Sequence, residues 1–436
     1  MRVVNIGLCG LGTVGSGVFN VLARNSSDIN ARSNCQIKVA QVGCRRDNPN
    51  CDVTAVNVTR DIFDVANNPD IDVVVELTGG TTVAFDLVMT ALKNDKHVIT
   101  ANKALIAEHG GAIFSEAESR GLIVAYEAAV AGGIPIVKAL REGLSANRIN
   151  WLAGIINGTT NFILSEMDSK GREFSDVLSE AQEKGYAEAD PTFDVEGIDA
   201  SHKLAILASI AFAMPLSLDG LFTDGITQLE PQDVAYAREL GYVIKHLGIA
   251  RQSDAGVELR VHPTLVPERS LIAGVNDVAH AIMVNADAVV TTLFYGPCSA
   301  AQPPASAVIA DIFYSSRIMD SYPDSWVPGL GCNSSAIQPR TIMDIEDVET
   351  GFYIRFSALD KPGVLSDVTK IMGDAGISIE AIIQREQPAG ERYVNVIILT
   401  NVTKEKFLNE AVTHIEQLET VRGEVSFIRV EYLDQV

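Results

Sequence analysis

Apolar residues in the first third of the chain arrive in short blocks separated by helix-spaced stretches. Residues 3–8 form an apolar run, and a glycine-rich loop joins it to a helical pattern ending near residue 24. A second strand is expected at 36–44. A third is expected at 71–77, where IDVVVEL is apolar on both faces, as a central parallel strand requires. Beyond it, 83–93 reads as helix, 97–100 as strand, 103–120 as helix and 122–126 as strand. This alternation predicts an α/β fold built on an open, doubly wound parallel sheet.

Near Gly132 the rhythm changes. Long helical patterns at 173–184, 200–213 and 231–247 are interspersed with strand candidates at 149–156, 257–266 and 286–295, so a second, α+β domain is expected. The apolar helix pattern at 305–318 is expected to fold back on the first domain. Residues 321–342, rich in Pro, Gly, Ser and Asn, read as a linker. The tail then gives strand (351–357), helix (364–375), two strands (377–386 and 392–400), helix (404–418) and strand (425–431). That βαββαβ order is a ferredoxin-like module. The expected domains are 1–131 (completed by 305–320), a catalytic and dimerisation domain at 132–304, a linker at 321–349 and a regulatory module at 350–436.

Composition narrows the classes. The 436 residues favour two or three domains, and 47% hydrophobic with 21% charged residues is ordinary for a soluble globular protein. A net charge of −22 argues against nucleic-acid partners and anionic membranes, so an anionic ligand needs a local basic or backbone-amide site. The six cysteines show no CxxC pair, which suits reduced thiols in a cytoplasm. No signal peptide or membrane-length apolar run is read.

Two segments carry chemistry. Gly10-Leu11-Gly12-Thr13-Val14-Gly15 is a GxGxxG between a strand and a helix, the arrangement of a Rossmann-type dinucleotide site with phosphate at the helix N-terminus. The second strand ends at Arg45-Arg46 where a carboxylate would select NAD, so NADPH is the expected cofactor, with NADH the weaker alternative. Thr78 and Lys103 follow the third and fourth strands, at the sheet edge where such folds bind ligands. The second segment, 183–203, gathers Glu188, Asp190, Asp194, Glu196 and Asp199 ahead of Lys203. Asp199 and Lys203 share a helix face at i,i+4. That spacing fits a lysine tuned for proton transfer and equally a plain surface ion pair.

Together GLGTVG (10–15), TANK (100–103), EAAVAGGIPI (127–136), NGTTNFIL (157–164) and GYAEADPTFDVEGIDASHKLAIL (185–207) resemble the homoserine dehydrogenase family over about residues 2–320, and LDKPGVL (359–365) resembles an ACT domain. The resemblance implies reduction of aspartate semialdehyde to homoserine, on the route to threonine and methionine. It implies Lys203 as proton donor and Lys103 as a second catalytic lysine, with Glu188 and Asp199 holding the amino acid's ammonium and the substrate hydroxyl. Glu188, Asp194, Gly158 and Thr159 would then contact substrate, the last two from an NGTTN loop. Glu127 with the carbonyls of Val130, Gly132 and Ile134 would hold sodium or another monovalent cation; the same residues also read as a glycine-rich hinge with a capping glutamate. Threonine is the expected effector, through Asp360, Gly363 and Gly376, and a homodimer or homotetramer the expected assembly. The family's GPGAG reads Gly296-Pro297-Cys298-Ser299-Ala300 here, which puts side chains where bare backbone would approach the cofactor. Two rivals stay open: a phosphorylating semialdehyde dehydrogenase using Cys298, and a sensor of cofactor and amino acid without catalysis.

Overall fold

Strands β1 (Arg2–Cys9), β2 (Cys35–Gly43), β3 (Asn57–Thr59), β4 (Val73–Glu76), β5 (His97–Thr100) and β6 (Val124–Ala125) form a sheet in the order β3-β2-β1-β4-β5-β6. Every neighbouring pair is parallel. The order reverses beside β1, and in such sheets the crevice at that switch point is the ligand site. The connecting helices are α1 (Thr13–Arg24), α2 (Ser26–Ser33), α3 (Ile62–Asn67), α4 (Thr82–Lys93) and α5 (Lys103–Arg120). The computed structural model describes residues 2–297, 301–385 and 392–433.

Alternation along β1 sends Val4, Ile6 and Leu8 into one core with Val18 and Leu22 of α1. On the other face Val74 and Val98 pack with Leu87, Val88, Leu105 and Ile113 of α4 and α5. The sequence pattern did not announce α2, β3 or α3. The last two span six residues or fewer, too short to leave a period. Helix α3 is started locally, by the Asp61 carboxylate accepting the Phe63 N–H.

The middle of the chain runs α6 (Ile136–Lys138), β7 (Ile149–Ile155), α7 (Gly158–Lys170), α8 (Phe174–Glu183), α9 (Thr192–Val195), α10 (Ile198–Phe212), β8 (Phe222–Thr223), α11 (Pro231–Glu239), β9 (Tyr242–Ser253), β10 (Gly256–Pro267), β11 (Ala279–Ala286), β12 (Val290–Pro297) and α12 (Gln302–Ile318). Three expectations are corrected here. The helix expected over 231–247 stops at Glu239, because Gly241 turns left-handed (φ 82°) and Tyr242 opens β9. Residues 242–250 are buried on both faces, so that strand shows no alternation and imitates a core helix. The strand expected at 286–295 is instead a turn and the second arm of the β11–β12 hairpin. Its turn is tied by the Asp287 carboxylate to the Arg148 N–H and by the Val289 N–H to Asn147 Oδ1. The NGTTN segment is not a loop: it is the first turn of α7.

The tail comprises β13 (Glu349–Leu359), α13 (Val364–Asp374), β14 (Ile379–Gln384), β15 (Tyr393–Thr400), β16 (Thr403–Lys404), α14 (Glu405–Glu416) and β17 (Val421–Val430). Its sheet has the antiparallel order β17-β13-β15-β14 of a ferredoxin-like module. β17 also pairs in parallel with β10, so the tail extends the β9–β10 sheet.

The chain divides into two compact units. One comprises Met1–Leu152, Asp199–Asp219 and Val278–Arg340, the other Ala153–Ile198, Gly220–Asp277 and Thr341–Val436. In the first, α12 adds Ala305, Val308 and Ile312 to the core of β1 and α1. In the second, buried ion pairs join the tail to the body. Arg355 of β13 meets Asp233 of α11 at 2.5 Å, and Arg260 of β10 meets Glu431 at 2.5 Å.

Candidate active site

The turn after β1 shows why its glycines are glycines. Gly10 has φ 100°, and a Cβ there would lie 2.4 Å from the Leu77 carbonyl oxygen. A Cβ on Gly15 would lie 2.1 Å from the Gly10 oxygen. Gly12 differs: a Cβ would meet nothing within 4 Å. It is the N-cap of α1, with no side chain closing the helix end, and it borders a cavity of about 1010 Å³. An open helix N-terminus beside a large cleft fits a dinucleotide pyrophosphate. Arg45, Arg46 and Thr78 line the same cavity; Thr13, Val14 and Gly15 do not, since Gly15 lies buried under the turn. Arg60, which sequence reading passed over, also lines it, but its charge is taken by Asp47 at 2.9 Å. Arg45 and Arg46 are exposed and have no carboxylate partner among the described residues. Cys298 and Ala300 lie outside the described residues.

Glu76 sets the edge of this cleft. It is fully buried at the end of β4. One oxygen accepts the Thr78 N–H (2.7 Å) and hydroxyl (2.8 Å), and the other accepts the Thr100 hydroxyl (2.6 Å). Thr100 Oγ1 accepts the Asn102 N–H, and Asn102 Nδ2 donates to the Gly80 carbonyl at 2.6 Å. One carboxylate thereby locks the loops after β4 and β5 together. Its signal was present in the sequence, as an acid closing the apolar run IDVVVEL.

Asn102 also caps α5, accepting the Leu105 N–H, and so fixes Lys103 at the first helical position. Lys103 Nζ lies 2.8 Å from one Asp199 oxygen, and Lys203 Nζ donates to the other at 2.6 Å. Asp199 and Lys203 are one turn apart at the start of α10. The Asp199 side chain is 4% exposed, Lys203 12% and Lys103 32%. Burial alone would raise the Asp199 carboxyl, but the two ammonium groups overcome it and hold it well below the usual carboxylate range. Two ammonium groups thus share one buried carboxylate. His280 of β11 adds no positive charge: burial first, and the Lys203 charge second, push its imidazole down to about 3, so it is neutral near pH 7. Such a cluster stabilises a developing oxyanion and can deliver a proton to it. Sequence reading missed His280, which sits inside an apolar strand and carries no local signal.

In the second unit, Asn157 caps α7 by accepting the Thr160 N–H at 2.9 Å. Its amide donates to Asp194 Oδ1 at 2.8 Å. The Thr159 hydroxyl reaches the Tyr186 carbonyl at 2.8 Å and Asp194 Oδ2 at 3.3 Å. The structure thus gathers Asp194, Thr159 and the α7 start, with Gly158 its first residue. Glu188 is exposed, and its carbonyl accepts from Gln182.

Glu127 lies buried in the first unit, its two oxygens accepting the N–H groups of Val137 and Lys138, each at 2.9 Å. Burial first, and the neighbouring Asp311 charge second, push its carboxyl up to about 7. Among the described residues nothing donates to the carbonyls of buried Val130 and Gly132, whereas that of Ile134 accepts the Ile136 N–H. Carbonyl and carboxylate oxygens are the donors that a hard monovalent cation takes. Among the described residues no group of three or more His, Cys, Asp or Glu side chains could hold a metal ion. No described helix is long and apolar enough to cross a membrane.

Comparison with known proteins places this geometry. The profile described as homoserine dehydrogenase matches residues 135–313, that of the homoserine dehydrogenase NAD binding domain residues 10–127, and that of the ACT domain residues 352–420. The chain is 57% identical to the homoserine dehydrogenase of Pseudomonas aeruginosa over all of both chains. It is 35% identical to that of Bacillus subtilis over 99% of each. The crystal structure of a homoserine dehydrogenase from Thiobacillus denitrificans superposes with a TM-score of 0.94 at 51% identity, covering 99% of each chain. That of the S. aureus enzyme at pH7.5 gives 0.76 at 29%, again over 99% of each.

Proposed function

The chain belongs to the homoserine dehydrogenase family, and from that premise we propose how its residues divide the work. It is an NAD(P)-dependent oxidoreductase that reduces aspartate semialdehyde to homoserine, with a regulatory ACT domain at its C-terminus. When bound, the nicotinamide supplies the hydride that adds to the aldehyde carbon. Lys203 donates the proton that the carbonyl oxygen needs as its electron pair gathers there, and its amine recovers a proton from water. Lys103 is the second catalytic lysine, and Asp199 holds both ammonium groups in place. Glu188 and Asp194, with Gly158 and Thr159, hold the amino-acid end of the substrate, whose permanent ammonium calls for carboxylates. The observation that carries the proposal is the single buried carboxylate shared by two ammonium groups at 2.8 and 2.6 Å. Family membership leaves the phosphorylating and sensor readings without support.

For the cofactor we infer NADPH over NADH, because Arg45 and Arg46 line the cleft and neither is paired with a carboxylate among the described residues. For the cation we infer sodium at Glu127 and the carbonyls of Val130, Gly132 and Ile134. For the effector we infer threonine, at a cavity of about 150 Å³ bordered by Asp360, Lys361, Gly363 and Gln384. That volume admits a small amino acid, and Gly363 opens α13 with no side-chain cap.

Lys203→Ala is expected to lower kcat by roughly 10²–10⁴-fold while NADPH titration by fluorescence stays at wild-type affinity; near-normal turnover removes Lys203 from the proton transfer. Arg45→Ala should shift the kcat/KM ratio toward NADH by about 10-fold or more, the worth of one charge-assisted hydrogen bond. An unmoved ratio excludes Arg45 as the selector. Without sodium, Glu127 binds a proton near pH 7 when folded and near 4.5 when unfolded, so its contribution to stability falls as pH rises through that window. Sodium favours the ionised form. Melting temperatures followed across this window should therefore fall less steeply with rising pH in sodium than in choline at equal ionic strength, and identical curves count against the site. Added threonine should inhibit the reaction and raise the melting temperature; no response in either leaves the ACT domain without this ligand.

A further inference from the structure

Residues 321–340, whose composition reads as a linker, lie against the first unit as a strap. Trp326 Nε1 donates to the Ile318 carbonyl at 3.0 Å, the Tyr126 hydroxyl to the Gly329 carbonyl at 2.6 Å, and Arg141 Nη2 to the Val327 carbonyl at 2.9 Å. Between the strap, α12 and the second half of α5 lies a cavity of about 350 Å³. Phe114, Leu122, Tyr314, Trp326, Leu330 and Ile337 supply its apolar and aromatic walls.

Arg141 supplies its charge. The residue is only 7% exposed, and its Nε is buried with no hydrogen-bond partner. Among the described residues no carboxylate forms an ion pair with it. Asp311, which shares its field, is engaged by Lys138 at 2.7 Å and by the Glu127 N–H at 2.8 Å. The other well-buried arginines are all matched: Arg260 by Glu258 and Glu431, Arg429 by Glu405, and Arg355 by Asp233. A buried guanidinium without a paired carboxylate is costly, and in the wall of a cavity its N–H groups can donate to an anion. The volume is at the small end of ligand pockets. Glu118 on the rim, which accepts the Ser334 hydroxyl, disfavours a second negative group.

We propose that this cavity binds a small monocarboxylic acid with an aromatic or branched apolar body, its carboxylate completing Arg141. The ligand would bear on α5, the helix that Lys103 opens.

Calorimetric titration of the full-length protein with hydrocinnamate, against hydrocinnamyl alcohol as neutral control, tests this. The acid should bind saturably and about 10-fold or more tighter than the alcohol, as one charge-assisted contact predicts. Hydrogen exchange should slow at 111–118 and 326–337. Arg141→Met should abolish the preference for the acid while leaving the alcohol's affinity unchanged. Equal affinities in the wild type, no saturable heat, or protection only elsewhere would each overturn the proposal. Should Arg141→Met not fold, the wild-type comparison and the location of protection decide it alone.

Discussion

One buried carboxylate, Asp199, makes the rest of the site possible. Lys103 opens α5, where the helix dipole disfavours a cation. Lys203 is mostly shielded from water. Neither ammonium is comfortable there alone. Asp199 offsets both penalties, because a charge in a poorly hydrated place interacts strongly with an opposite charge within 3 Å. Two ammonium groups within 3 Å of one buried carboxylate are the arrangement on which the proposed proton transfer rests.

The same accounting organises the second unit. Arg260 meets Glu258 and Glu431, Arg429 meets Glu405, and Asp233 takes both Arg355 and the Tyr353 hydroxyl. These groups lie on β10, α11 and the tail's β13, α14 and β17, with Glu431 directly after β17. Removing one partner from such a pair typically costs about 3–5 kcal/mol. The ACT domain is therefore joined to β10 and α11 by strand pairing and matched buried charges.

The cofactor cleft depends on close backbone approach and on one anchor. Gly10 and Gly15 let β1, α1 and the end of β4 meet, while Gly12 leaves the helix end bare. Glu76 then holds the two following loops, so Thr78 and Lys103 are positioned from the same buried point. Rigid support of this kind is what hydride transfer geometry requires.

Periodicity and short motifs determined much of this protein from the chain alone. The parallel sheet, the GxGxxG turn, the helix at Lys103–Arg120 and the βαββαβ tail all rest on local spacing, and local spacing is written in sequence. The i,i+4 relation of Asp199 and Lys203 was legible for the same reason. Only the tertiary structure decided that Lys103, 96 residues earlier, closes on the same carboxylate. It also showed 242–253 to be a strand, where burial of 242–250 on both faces erases the alternation that would mark it. The NGTTN segment became a capped helix through an asparagine side chain, and a composition-poor linker became a packed strap over Arg141. In each of these cases the deciding partner lies far along the chain or the pattern is masked by burial, and sequence spacing carries no record of either.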